Sequence, residues 1–144
     1  MSERTLEDAA TNFVLFIINL IHAQDAPLCD VNLSEDEIKI LFELVDAAGF
    51  HPKEIKPGNF WEIGPSVEGN IGGTDPIEFF KHCVYNNADE KDPAATKWLI
   101  SLFEEFYFWI KVNKKTFDDK DRGERLIGIV TGRIIERIEI RKSS

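Results

Sequence analysis

The sequence predicts a mainly α-helical, single-domain bundle of about five helices built around one central aromatic-rich helix. Three observations carry that prediction. The window WLISLFEEFYFWIKV, Trp98 to Val112, packs more large apolar side chains together than any other stretch. Burying one Leu, Ile or Phe contributes roughly 1.5 to 3 kcal/mol, so a helix this apolar has to be wrapped by others. Apolar residues recur at helical spacing in further segments, and helix-start residues stand in front of them at Thr5, Ser34, Asp75 and Asp92. At 144 residues, one domain buries about 68 to 70% of the surface its unfolded chain exposes, without help from a disulfide or a metal.

The first helix is expected from Thr5 to about His22. The Thr5 hydroxyl can cap the first turn with Asp8 three residues on, and Glu7 and Asp8 favour a helix N-terminus. Leu6, Ala10, Phe13, Ile17, Leu20 and Ile21 form its stripe, widened by Val14 and Phe16. Phe13 to Ile21 is too short to span a bilayer, and acidic Glu3, Glu7 and Asp8 precede it where a secretory signal carries basic residues. Neither a signal peptide nor a membrane anchor is expected. The second helix begins at Ser34, which forms a capping box with Glu37. Ile38, Leu41, Phe42 and Val45 make its buried face, Gly49 supplies its C-terminal cap, and Pro52 stops it from resuming.

From 51 to 74 the helical period is lost, and Pro52, Pro57 and Pro65 gather with five glycines, at 58, 64, 69, 72 and 73. This reads as a long ordered loop or a small hairpin pairing Phe60–Ile63 with Val67–Ile71, because Phe60, Trp61, Ile63, Val67 and Ile71 need a surface to cover. Asp75, Pro76 and Glu78 start a third helix ending near Asn86 and Asn87, with Ile77, Phe80 and Val84 buried. Asp92 and Pro93 repeat the start signal, and the central helix runs to about Val112.

Lys114 to Arg122, with Phe117 alone among charges, reads as a loop. Glu124 to Arg141 reads as a helix or a hairpin. Leu126, Ile127, Val130, Ile134 and Ile138 fit one helical face, but Arg133 and Arg137 fall in the same arc. Gly128 and Gly132 each cost up to about 1 kcal/mol in a helix. A hairpin turning at Thr131–Gly132 is the alternative. The two glycines also permit a second element to approach closely, as packing within the chain or as a dimer seam.

Charge is divided along the chain. Residues 1 to 110 hold 20 acidic against 7 basic side chains, net -13, whereas 111 to 144 hold 6 against 10, net +4, for -9 in all. An acidic body repels nucleic-acid phosphates and anionic lipid and attracts basic proteins. Arg133, Arg137 and Arg141 are balanced by Glu136 and Glu139, and that tail lacks base-stacking aromatics, so direct nucleic-acid binding is not expected. Two cysteines far apart, Cys29 and Cys83, point to reduced thiols and a cytoplasmic setting.

No motif carries a specific chemistry. Glu78 and His82 share a helical face, but a metal needs further ligands. Taking Asp119 as the first ligand of a calcium loop puts Val130 where a bidentate Glu is required. His82 and Cys83 point about 100° apart on a helix, and a Cys29–His51 meeting would need a fold that joins two loops. GNIGGTDP lacks the Lys of a phosphate loop, and Asp75 repels phosphate. No catalytic residue, metal or cofactor is therefore expected.

Surfaces for partners are the better candidates. Projected at 100° per residue, the central helix has a buried arc of Trp98, Leu102, Phe103, Phe106, Trp109 and Ile110. Its polar strip of Ser101, Glu104, Glu105 and Lys111 is interrupted by Phe108. Phe108 requires a cover, either the loop carrying Phe60 and Trp61 or a partner, since aromatic anchors rimmed by charge resemble interface hot spots. The expected partner-binding set is Phe60, Trp61, Glu104, Glu105 and Phe108. The expected function is an acidic cytoplasmic protein-binding module. Within that class, an inhibitor, immunity or anti-defence protein fits best, one that masks a basic, nucleic-acid-binding surface by charge mimicry. A structural or regulatory homodimer is the alternative, and an enzyme or small-ligand binder ranks third.

Overall fold

The computed structural model describes residues 5–25, 35–50, 77, 80, 81 and 93–143. These residues form five α-helices and no strand: α1 (Leu6–Asp25), α2 (Glu35–Ala47), α3 (Pro93–Val112), α4 (Lys114–Asp118) and α5 (Lys120–Ser143). The expected all-α bundle around an aromatic helix is what the chain adopts. Helix α1 packs on α2, α3 and α5, and α5 closes over α1 and α2.

Each helix starts and stops for a local reason. At α1 the Asp8 N–H donates to Thr5 Oγ1 at 3.1 Å and the Thr5 N–H donates to Asp8 Oδ2 at 3.4 Å. This reciprocal arrangement satisfies two otherwise orphan donors. Helix α1 continues to Asp25, one turn beyond the expected end. At the end of α2, Gly49 adopts φ +93°, a left-handed conformation that a side chain disfavours. The Gly49 N–H then reaches the Asp46 carbonyl at 3.0 Å and the Phe50 N–H the Val45 carbonyl at 3.2 Å, the paired bonds of a Schellman cap. Leu41, Phe42 and Val45 are buried as expected, and so are Ile40, Leu44 and Ala48, so α2 is enclosed over more of its girth than its stripe implied. The Ser34 cap and the Ile38 side chain lie outside the described residues.

The core is organised by rings on α3. Phe103 is fully buried, stacks on Phe80 with centroids 4.1 Å apart and planes 4° from parallel, and lies parallel to Tyr107 at 5.9 Å. Phe13 and Phe16 of α1 meet the same ring at 6.3 and 6.4 Å. The expected third helix falls mostly outside the described residues, but Ile77, Phe80 and Lys81 are helical, with Ile77 and Phe80 buried. The 51–74 loop or hairpin lies outside them altogether.

One expectation for the C-terminal third is corrected, and one pair of alternatives is decided. Lys114 to Arg122 is not a loop. Asn113 ends α3, its side-chain amide donating to the Trp109 carbonyl at 2.8 Å, and its own carbonyl accepts the Thr116 and Phe117 N–H groups that open α4. Asp119 then caps α5: its Oδ1 accepts from the N–H groups of Asp121 and Arg122 at 3.1 and 3.0 Å. Gly123 has to be glycine here, because a Cβ would collide with the Phe117 carbonyl. Phe117 anchors the short turn against the core and meets Trp109 edge-on at 6.0 Å.

Of the helix and the hairpin open to Glu124–Arg141, the chain forms the helix. Helix α5 is continuous from Lys120 to Ser143, burying Val130, Thr131, Ile134 and Ile138 along one line. Gly128 and Gly132 lie on its opposite, exposed side, where they weaken helix propensity without opening a hole in the core. Arg133 and Arg137 are exposed, beside the buried line rather than within it. Thr131 joins α1 through a hydroxyl bond to Thr11 at 3.2 Å. The basic end of α5 lies on the body, with the Arg141 guanidinium 4.0 Å above the Phe50 ring, which in turn meets Trp98 at 5.7 Å.

Candidate functional site

The outward strip of α3 is the surface that the fold leaves most unusual. Its frame is rigid. Tyr107 is buried at 2% exposure and its hydroxyl accepts from Lys111 Nζ at 3.1 Å, with the ammonium 5.5 Å from the ring centroid. Phe108 rests on Tyr107 edge to face at 5.4 Å and keeps 58% of its surface exposed. Val112, one turn further on the same side, is 84% exposed, and Trp109 beside it 36%. Together these three form an apolar patch at the C-terminal end of α3, on a helix whose other face is locked into the core.

The two carboxylates of the expected set sit one turn earlier, and both are engaged within the chain. Glu104 pairs with Lys81 at 3.2 Å. Glu105 accepts from Arg137 Nε at 3.1 Å on each oxygen and from Nη2 at 2.6 Å, a forked pairing that ties α3 to α5. Each remains near half exposed, at 38% and 43%. Local attraction for a basic partner is thereby reduced at these positions, and the acidic field comes from the body as a whole. Phe60 and Trp61 lie outside the described residues.

The expected buried arc of α3 needs two corrections. Trp109 keeps 36% of its surface exposed, with Phe117 of α4 against it edge-on. Trp98 is half-buried, against Phe50. Val112 was missed as a surface residue, although the signal was present, since at four residues from Phe108 it projects only 40° away on the same strip.

The expectation that Gly128 and Gly132 pack inside the monomer is also corrected. A Cβ on either would meet nothing within 4 Å. Among the described residues no three metal-ligating side chains converge. His22, the one histidine described, donates to or accepts from Asp118 at 3.1 Å, an exposed link between α1 and α4. Glu78, His51, His82, Cys29 and Cys83 lie outside the described residues. Two small cavities lined by described residues, one against Phe13 and Leu41 and one beneath Phe117, hold no more than about one water each. No helix among the described residues is long and apolar enough to cross a membrane. No family model matches the chain, and neither a curated protein nor a solved structure shows significant similarity to it.

Proposed function

We propose that this chain is a protein-binding module whose contact face is the C-terminal half of α3, with Phe108 as the anchor and Trp109 and Val112 around it. The observation that carries this reading is the 58% exposure of Phe108 on a helix whose opposite face is locked into the core. A rigid, exposed aromatic flanked by charge loses little conformational freedom on binding and gains a desolvated contact, the pattern of an interface hot spot. The partner presents an apolar hollow within a basic surface, because a net charge of -9 draws positive surfaces and repels negative ones. Within that class the chain acts as a cytoplasmic inhibitor of immunity or anti-defence type, masking a basic, nucleic-acid-contacting surface of its target.

Affinity purification from the native host, with the wild-type chain and Phe108→Asp in parallel at low and high salt, tests it. Wild type is expected to retain a basic protein at low salt and release it as salt rises. Phe108→Asp loses about 2 kcal/mol or more of binding, roughly thirtyfold in affinity. If wild type retains no basic protein at low salt, or if Phe108→Asp retains it equally well, the reading is wrong.

A further inference from the structure

We infer that the outward face of α5 pairs with α5 of a second copy of this chain, antiparallel, about a two-fold axis between residues 130 and 131. The face carries Ile129 near its middle with the exposed Arg133 one turn on, Arg125 toward its N-terminal end, and Glu136 and the 60% exposed Ile140 toward its C-terminal end. Ile129 is 53% exposed and flanked by Gly128 and Gly132, whose outer sides are open. Arg125 and Glu136 are exposed, and neither has an ion-pair partner among the described residues. They are eleven residues apart, about three helical turns, so they lie on one line along the helix.

A two-fold axis at the midpoint of that line sets Arg125 of each copy against Glu136 of the other. The same operation brings Ile129 of one copy over Gly132 of its mate, where the missing side chain leaves room for the isoleucine. Charge and shape are therefore complementary in one and the same register, as an isologous contact requires. The register also overlaps nearly the whole of α5, Lys120–Ser143. A single helix face is small beside the roughly 1,600 Å² of a standard interface, so the dimer is a weak one.

The binding face on α3 is separate from this seam, which makes the two ideas distinguishable. The test is sedimentation equilibrium of the full chain across a concentration series, with far-UV circular dichroism confirming helix content. Wild type is expected to approach twice its 16.5 kDa mass. Arg125→Glu and Glu136→Arg, each alone, weaken association at least about tenfold, because each opposes like charges twice in the symmetric pair. The two changes combined in one chain restore it, and Phe108→Asp leaves it unaltered. A wild-type chain that stays monomeric at several hundred micromolar, a single reversal without effect, a double reversal that fails to restore association, or a dimer lost in Phe108→Asp would each overturn the inference.

Discussion

Removing the ring of Phe103 tests the central claim about the core. The side chain is 0% exposed and touches four other rings, at 4.1 Å to Phe80, 5.9 Å to Tyr107, 6.3 Å to Phe13 and 6.4 Å to Phe16. Phe103→Ala gives up the transfer energy of a buried benzyl group and leaves a hollow that rigid neighbouring rings fill poorly. Such substitutions cost about 3 to 5 kcal/mol. Against a total stability of about 5 to 15 kcal/mol for a domain, the loss takes about a fifth of the total or more. Urea unfolding followed by circular dichroism should show the midpoint falling by roughly 1 to 3 M with the slope unchanged. The geometry makes a second, finer demand. Phe80 and Phe103 are within 4° of parallel, so a double-mutant cycle with Phe80→Leu and Phe103→Leu should return a coupling of about 0.5 to 1.5 kcal/mol. A cost below about 1.5 kcal/mol for Phe103→Ala would mean that α3 is not the organising helix. Strict additivity in the cycle would mean that the stacked pair contributes only buried area.

Three further substitutions probe features that are local to one element. Asp119→Ala removes the acceptor for two backbone N–H groups and should cost about 1 kcal/mol, read as a fall in thermal midpoint with early fraying of α5 by hydrogen exchange. Gly49→Ala places a side chain at φ +93° where nothing closer than 3.6 Å obstructs it. The cost, about 1 to 2 kcal/mol, is therefore backbone strain, and Gly49→Asn should recover part of it. Gly128→Ala with Gly132→Ala goes the other way. Both sites are open, so the pair should raise stability by about 1 to 2 kcal/mol through helix propensity alone, measured at protein concentrations low enough to keep the chain monomeric.

Much of this architecture was legible because its signals are short-range. The Thr5–Asp8 box and the Gly49 terminator each depend on three or four neighbouring residues, and α3 starts at Pro93 where its start signal places it. The buried positions of α1 and most of α2 follow from periodicity over several turns. Helix α4 was illegible for the same reason in reverse, since five residues give no period and its one apolar side chain, Phe117, looks isolated until Trp109 is seen beside it. Asp119 as the cap of α5 was hidden within a run of charges. The glycines of α5 left helix and hairpin both open because propensity is written in the chain, whereas the side they face is decided by packing. For the candidate site, Phe108 could be found by helical projection, while the pairing of Glu104 with Lys81 and of Glu105 with Arg137 joins residues distant in sequence and carries no local trace.

The hydroxyl bond between Thr11 and Thr131 spans 120 residues of chain, and that separation has a consequence for how the protein is made. At about 5 to 20 residues per second, roughly 6 to 24 seconds pass between synthesis of Thr11 and arrival of its mate. Throughout that interval the side of α1 that α5 will cover stands bare, on a helix already rich in phenylalanine and isoleucine. The nascent chain is thus obliged to hold a greasy surface open until the segment that seals it has been translated. A stalled or truncated product lacking α5 is the species that chaperones and proteases should meet most often.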